Sequence, residues 1–237
     1  MAASKAQQIQ DELNRVTEER VKRNRDPELR NKVETLKAYQ QQRFSKTHAD
    51  LLIDPRHRAA ARFFLDHLYG PEDFSTRDDQ FARVIPAMVR LFPSEVINTV
   101  ARLASLHAIS ERLDTMMARH LQQPLNSRTY AAAWQSTAHF DLRDRQIDLS
   151  LQIGHSLDQL TRNPIIRHTL RMMRGPAKAA GLSELQRFLE TGFEAFREMR
   201  GAQEFLDTIK IKERNLARQP FIATPPFESL DLQQQLP

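Results

Sequence analysis

Phe63-Phe64-Leu65-Asp66-His67-Leu68-Tyr69-Gly70-Pro71-Glu72-Asp73-Phe74-Ser75-Thr76-Arg77-Asp78-Asp79 joins the densest aromatic run of the chain to a helix stop and a helix start. Gly70 supplies the left-handed conformation that ends a helix at little steric cost, and Pro71 cannot continue one. Ser75 with Asp78 three residues on is a capping-box-like start for the next helix. The stretch therefore reads as helix, corner, helix, and the flanking sequence repeats that grammar.

Upstream, Asp54-Pro55 gives a cap followed by a proline in the first turn, which predicts a helix from about Arg56 to Tyr69. Asp26-Pro27-Glu28 opens an earlier helix in the same way, with Leu29, Val33 and Leu36 as its apolar stripe. Before it, Ile9, Leu13 and Val16 make one narrow stripe on a charged helix, which then gives way to Arg20-Val21-Lys22-Arg23. A single stripe suits a partner helix better than a core. The expectation is an arm that folds back on the body or pairs with a second copy.

Downstream, Phe81, Val84, Ile85, Met88 and Val89 continue at helical spacing, with Pro86 expected to kink that helix. The helix from Ser94 to Leu121 is the longest and most apolar and should be central. A shorter one over Tyr130–Thr137 sets Trp134 among alanines, and the next begins with Asp141 to Arg145 outside its core stripe. Asn163-Pro164 opens another helix, Gly175-Pro176 stops it, and Ser183 with Gln186 reads as a further capping box. The domain division expected is a helical arm over 1–53, a bundle body over 54–218 and an extended proline-rich apolar tail over 219–237. The fold class is all-α, an irregular bundle of about seven to nine helices.

The 237 residues carry 40% hydrophobic and 27% charged residues, an ordinary globular balance, and only 6 glycines. With no cysteine, disulfides, thiolate metal sites and cysteine nucleophiles are excluded. No window approaches the roughly 20 apolar residues of a membrane-spanning helix, and the N-terminus lacks the apolar core of a signal peptide. The expectation is a soluble cytoplasmic protein. The net charge of +5, from 35 basic and 30 acidic residues, is dispersed along the chain, which makes nucleic-acid binding a lesser reading.

Three residue sets invite chemistry. At the corner, His67, Tyr69, Asp73, Arg77 and Asp78 are placed to converge on a small ligand where two helix ends meet; capping and aromatic wedging is the plainer account. His107 and Glu111, one turn apart on the longest helix, form half of a metal site, but no second pair is evident on another helix and His155 reads as solvated. Arg167, Arg171, Arg174 and Lys178, spaced by 4, 3 and 4, make a basic stripe without an intervening acid, suited to phosphate or to plain solvation. No P-loop, dinucleotide fingerprint, Gly-x-Ser-x-Gly elbow or His-Glu-x-x-His occurs, so the enzyme expectation is low and no cofactor is implied.

The run Phe63 to Asp78, of the form FFLxHLYGPxDFxxRD, with Val84-Ile85-Pro86-Ala87-Met88-Val89-Arg90-Leu91-Phe92-Pro93 after it, resembles a group of uncharacterised, hypothetical proteobacterial proteins. The likeness spans about the middle half of the chain. It implies a bacterial cytosolic protein with an all-helical domain and brings no activity, cofactor or catalytic residue with it. The leading functional expectation is a non-catalytic interaction or regulatory protein, joined to a partner or a second copy through the N-terminal arm and the apolar tail. Its rival is a small-ligand- or metal-binding bundle, an enzyme among the alternatives, using His67, Arg77 and Asp78 or His107 and Glu111.

Overall fold

The structure, a computed structural model, describes residues 2–67 and 75–222. Gly70, Tyr69 and Asp73 of the corner and residues 223–237 of the expected tail lie outside the described residues, while 219–222, expected to be extended, form the end of the last helix. Every regular element described is a helix: α1 (Ala2–Asn24), α2 (Pro27–Thr47), α3 (Ala49–Ile53), α4 (Arg58–His67), α5 (Ser75–Leu91), α6 (Ser94–Arg119), α7 (Ser127–Thr137), α8 (Phe140–Thr161), α9 (Pro164–Met172), α10 (Arg174–Ala179), α11 (Ser183–Met199) and α12 (Gln203–Ile222). These twelve exceed the expected seven to nine, in part because the short α3 and α10 occupy what the sequence suggests are connections.

Several starts follow from side-chain capping. Asp26 accepts from the Leu29 amide at 3.1 Å, and Asn163 accepts from the Ile165 amide at 3.0 Å, each followed by proline at the first helical position. Two starts differ from expectation. Asp54 caps a turn instead of a helix: it accepts from the Arg56 amide at 2.9 Å and pairs with His57 Nδ1 at 2.6 Å, which delays α4 to Arg58. At α11 the cap position is Leu182, so Ser183 is already helical, and Gln186 is buried and donates to the Leu170 carbonyl at 2.6 Å instead. Gly175-Pro176 does not stop the chain either, because proline is tolerated in the first turn of α10. Pro86 lies inside α5, which runs on through it.

α6 is central, packed by α1, α2, α7 and α8. The stripe of α1 is covered from within the chain: Ile9, Leu13 and Val16 are 1%, 6% and 1% exposed, and Ile9 and Leu13 pack with Phe81 and Ile85 of α5 and Val100 and Ala104 of α6. The sequence-level arm is thus one wall of the bundle, and its stripe offers no free face to a partner helix. A second cluster is aromatic and joins α2, α4, α11 and α12. Phe64 meets Phe205 at 5.6 Å and Phe63 meets Phe188 at 5.4 Å between ring centroids. The charged start of α8 is also not wholly outside: Arg143 is buried, its guanidinium 4.1 Å over the Trp134 ring. No helix among the described residues is long and apolar enough to cross a membrane.

A buried charge network beside a two-part cavity

α1 turns polar where it reaches the middle of α6. Its stripe does not end at Val16 but continues at the same spacing as Arg20 and Arg23, both directed inward. Arg23 Nη2 donates to Glu111 Oε2, and Lys37 Nζ of α2 donates to Glu111 Oε1 at 2.7 Å. Arg20 Nη2 donates to Asp78 Oδ2 at 2.7 Å, and His107 Nε2 lies 2.8 Å from the same oxygen. A carboxylate only accepts, so the Nε2 proton of His107 points to Asp78. One network of charge-assisted bonds therefore ties α1, α2, α5 and α6 together.

Burial raises the pKa of Glu111, but Lys37, Arg23 and His107 outweigh it and hold the carboxyl at about 2. Asp78 is lowered by the same balance, burial being overcome by its bond to His107 and by the His107, Arg20 and Arg77 charges. Asp114, one turn after Glu111, moves the other way. Burial raises its pKa, with Lys37 and the Gln40 amide, 3.2 Å away, only partly offsetting that.

This network borders a cavity of about 120 Å³, whose walls include His67, Arg77, Asp78, His107 and Glu111. The structure thus brings the described part of the corner set and the α6 pair to one place. Arg77 donates to the His67 carbonyl at 3.3 Å and lies 4.5 Å over the Phe188 ring. An apolar chamber of about 160 Å³, reached by Ile153, Leu157, Ile166 and Met173, adjoins the first. Phe64, Val100, Leu103, Leu106, Phe188 and Leu189 wall both.

Of the pair His107 and Glu111, Glu111 is bonded to Arg23 and Lys37 and His107 to Asp78; among the described residues no group of three or more His, Asp or Glu is placed to hold a metal ion. His155 is exposed, as its face suggests. The basic stripe is matched by acids of α11: Arg167 and Arg171 approach Glu194 at 3.3 and 3.8 Å, and Arg174 pairs with Glu190 at 2.7 Å. Lys178 is exposed on α10. Sequence reasoning missed Arg20, Arg23, Lys37 and Asp114. The available signal was the 4, 3, 4, 3 spacing of Ile9, Leu13, Val16, Arg20 and Arg23, unbroken by the change from aliphatic to cationic.

The fold and this site define an all-helical domain organised around a buried ion network that faces a cavity. The chain belongs to the family described as Domain of unknown function (DUF8198), whose model matches residues 19–225. Comparison with the curated proteins and with the solved structures returned no match.

Proposed function

We propose that the domain binds a small amphipathic molecule in the space bounded by α4, α5, α6, α8 and α11. The observation that carries this reading is the shared wall: one chamber ends on buried charges, the next is lined almost wholly by carbon, and Leu103 and Phe188 belong to both. A molecule spanning them meets polar partners at one end and removes apolar surface from water at the other, the arrangement typical of ligand sites. No step of bond making or breaking is assigned; the role is binding.

A thermal-shift screen of amphipathic compounds tests it. A ligand at 100 times its Kd stabilises the fold by about 2.7 kcal/mol. Leu103→Trp, which fills the shared wall, should abolish the shift while retaining a cooperative transition. Compounds that shift wild type and Leu103→Trp equally would place binding elsewhere, and a screen without any shift would overturn the reading.

A further inference from the structure

The walls of the apolar chamber differ in how firmly they are held. α6, α8 and α11 carry core residues, whereas of residues 163–182 Ala177 alone is buried and α9 has no buried residue. Yet Ile166, Leu170, Met173, Ala177 and Leu182 close one side of the chamber. A side chain facing a void lacks partner atoms there, so these carbons gain less from closure than packed ones would. The polar contacts that fasten the segment reach one stripe of α11: Gln186 donates to the Leu170 carbonyl at 2.6 Å, Glu190 pairs with Arg174 at 2.7 Å, and Glu194 pairs with Arg167 at 3.3 Å. Positions 186, 190 and 194 follow one another at a helical turn, so they share a face. Both ends of the segment suit a hinge. Asn163 caps α9, and Gly181, at φ +70°, ends α10 with the Leu182 amide donating to the Ala177 carbonyl at 2.8 Å.

Resting on the binding role proposed above, we infer that residues 163–182 are a lid on the apolar chamber, hinged at Asn163 and Gly181 and latched by Gln186, Glu190 and Glu194, and that ligand enters and leaves beneath it. Displacing α6 or α11 instead would break core packing shared among several helices. Opening at α9 breaks exposed ion pairs and the Gln186 bond, which places it at the low end of local stability. A bound molecule gives Ile166, Leu170 and Met173 the contacts that the empty chamber lacks, so it favours the closed lid, and the lid sets the rates of exchange.

The chain has no cysteine, so the pair Arg171→Cys/Glu194→Cys, at positions whose native side chains approach to 3.8 Å, is joined selectively by a short bismaleimide. Stopped-flow fluorescence of the full chain with N-phenylnaphthylamine, an uncharged probe that brightens in apolar surroundings, reads the exchange. The bridge should slow association and dissociation at least about tenfold relative to the same variant unbridged, and keep Kd within about twofold. Glu190→Ala/Glu194→Ala, which releases the latch, should speed both steps. Rates unchanged by the bridge overturn the lid and leave the binding role standing. A probe that does not bind, or whose binding Leu103→Trp does not reduce, overturns both.

Discussion

At the residue scale, Glu111 is the most exacting position in the chain, because it is 3% exposed and serves two cations. Glu111→Gln leaves Arg23 and Lys37 buried without their counter-charge, which should cost about 3–5 kcal/mol in a denaturant melt. An unchanged midpoint would mean that water already screens the pair. Acidity should act at the same place. Glu111 and Glu213, the latter held down by Arg43 and His48 against its burial, both lie at about 2 when folded, against 4.5 when solvated. A lowered folded value contributes stability above 4.5 that is lost as pH falls through 2, at about 3 kcal/mol for each group. Urea midpoints should therefore decline steeply between those limits, and a Glu111→Gln/Glu213→Gln variant should show a much flatter decline. Gly192 offers a different test, since a Cβ there would sit 2.7 Å from Phe63 Cζ. The adjacent chamber lets that ring yield, so the overpacking cost of about 1–3 kcal/mol is offset by about 1 kcal/mol of helix propensity. Gly192→Ala should keep its unfolding free energy within about 2 kcal/mol of wild type and lose the thermal shift that amphipathic compounds give, because the displaced Phe63 ring occupies the chamber. Side chains such as Asp78, His107 and Glu111 stood out in the sequence because polar residues at helical spacing on apolar faces are conspicuous. Their partners Arg20 and Lys37 did not, because a basic residue on a charged helix looks the same whether it faces water or a carboxylate 58 or 74 positions away.

At the element scale, helices with a capping side chain before a proline were legible to within a residue or so, as α2 and α9 show. Those whose apparent cap was used elsewhere were displaced: Asp54 is spent on a turn and Gln186 on the Leu170 carbonyl, choices that tertiary contacts make and local sequence does not record. α9 stands apart energetically. None of its residues is buried, Ile165 and Met172 are 71% and 66% exposed, and it is held by the pairs of Arg167 and Arg171 with Glu194 and, just past its end, of Arg174 with Glu190, while Ile166 and Met173 line the apolar chamber. Exposed pairs of this sort contribute about 0–1 kcal/mol each. Hydrogen exchange should find α9 amides opening well below the global unfolding energy and those of α6 near it. Glu190→Ala/Glu194→Ala should speed exchange in α9 with little change in the global midpoint; α9 protected as strongly as α6 would show that its apolar contacts, not its charges, hold it.

At the scale of the whole molecule, the sequence marked a body beginning at Asp54, yet α1 and α2 supply part of the core and the cations Arg20, Arg23 and Lys37 of the buried network. Burying Ile9, Leu13 and Val16 contributes roughly 1.5–3 kcal/mol for each side chain, comparable in sum to the whole stability of a typical domain. The chain beginning at Asp54 should therefore lack a cooperative thermal transition by circular dichroism; a sharp melt near that of the full chain would restore the arm to the status of an appendage. The bond between Arg23 and Glu111 has a consequence for synthesis as well. Its partners are separated by 88 residues, so at 5–20 residues per second Arg23 is made about 4 to 18 s before its carboxylate exists. Arg43 waits about twice as long for Glu213, 170 residues later. For the first part of that interval, until Phe81, Ile85, Val100 and Ala104 are made, nascent α1 presents Ile9 and Leu13 to solvent without the side chains that cover them in the finished fold, so the growing polypeptide is the state most exposed to aggregation.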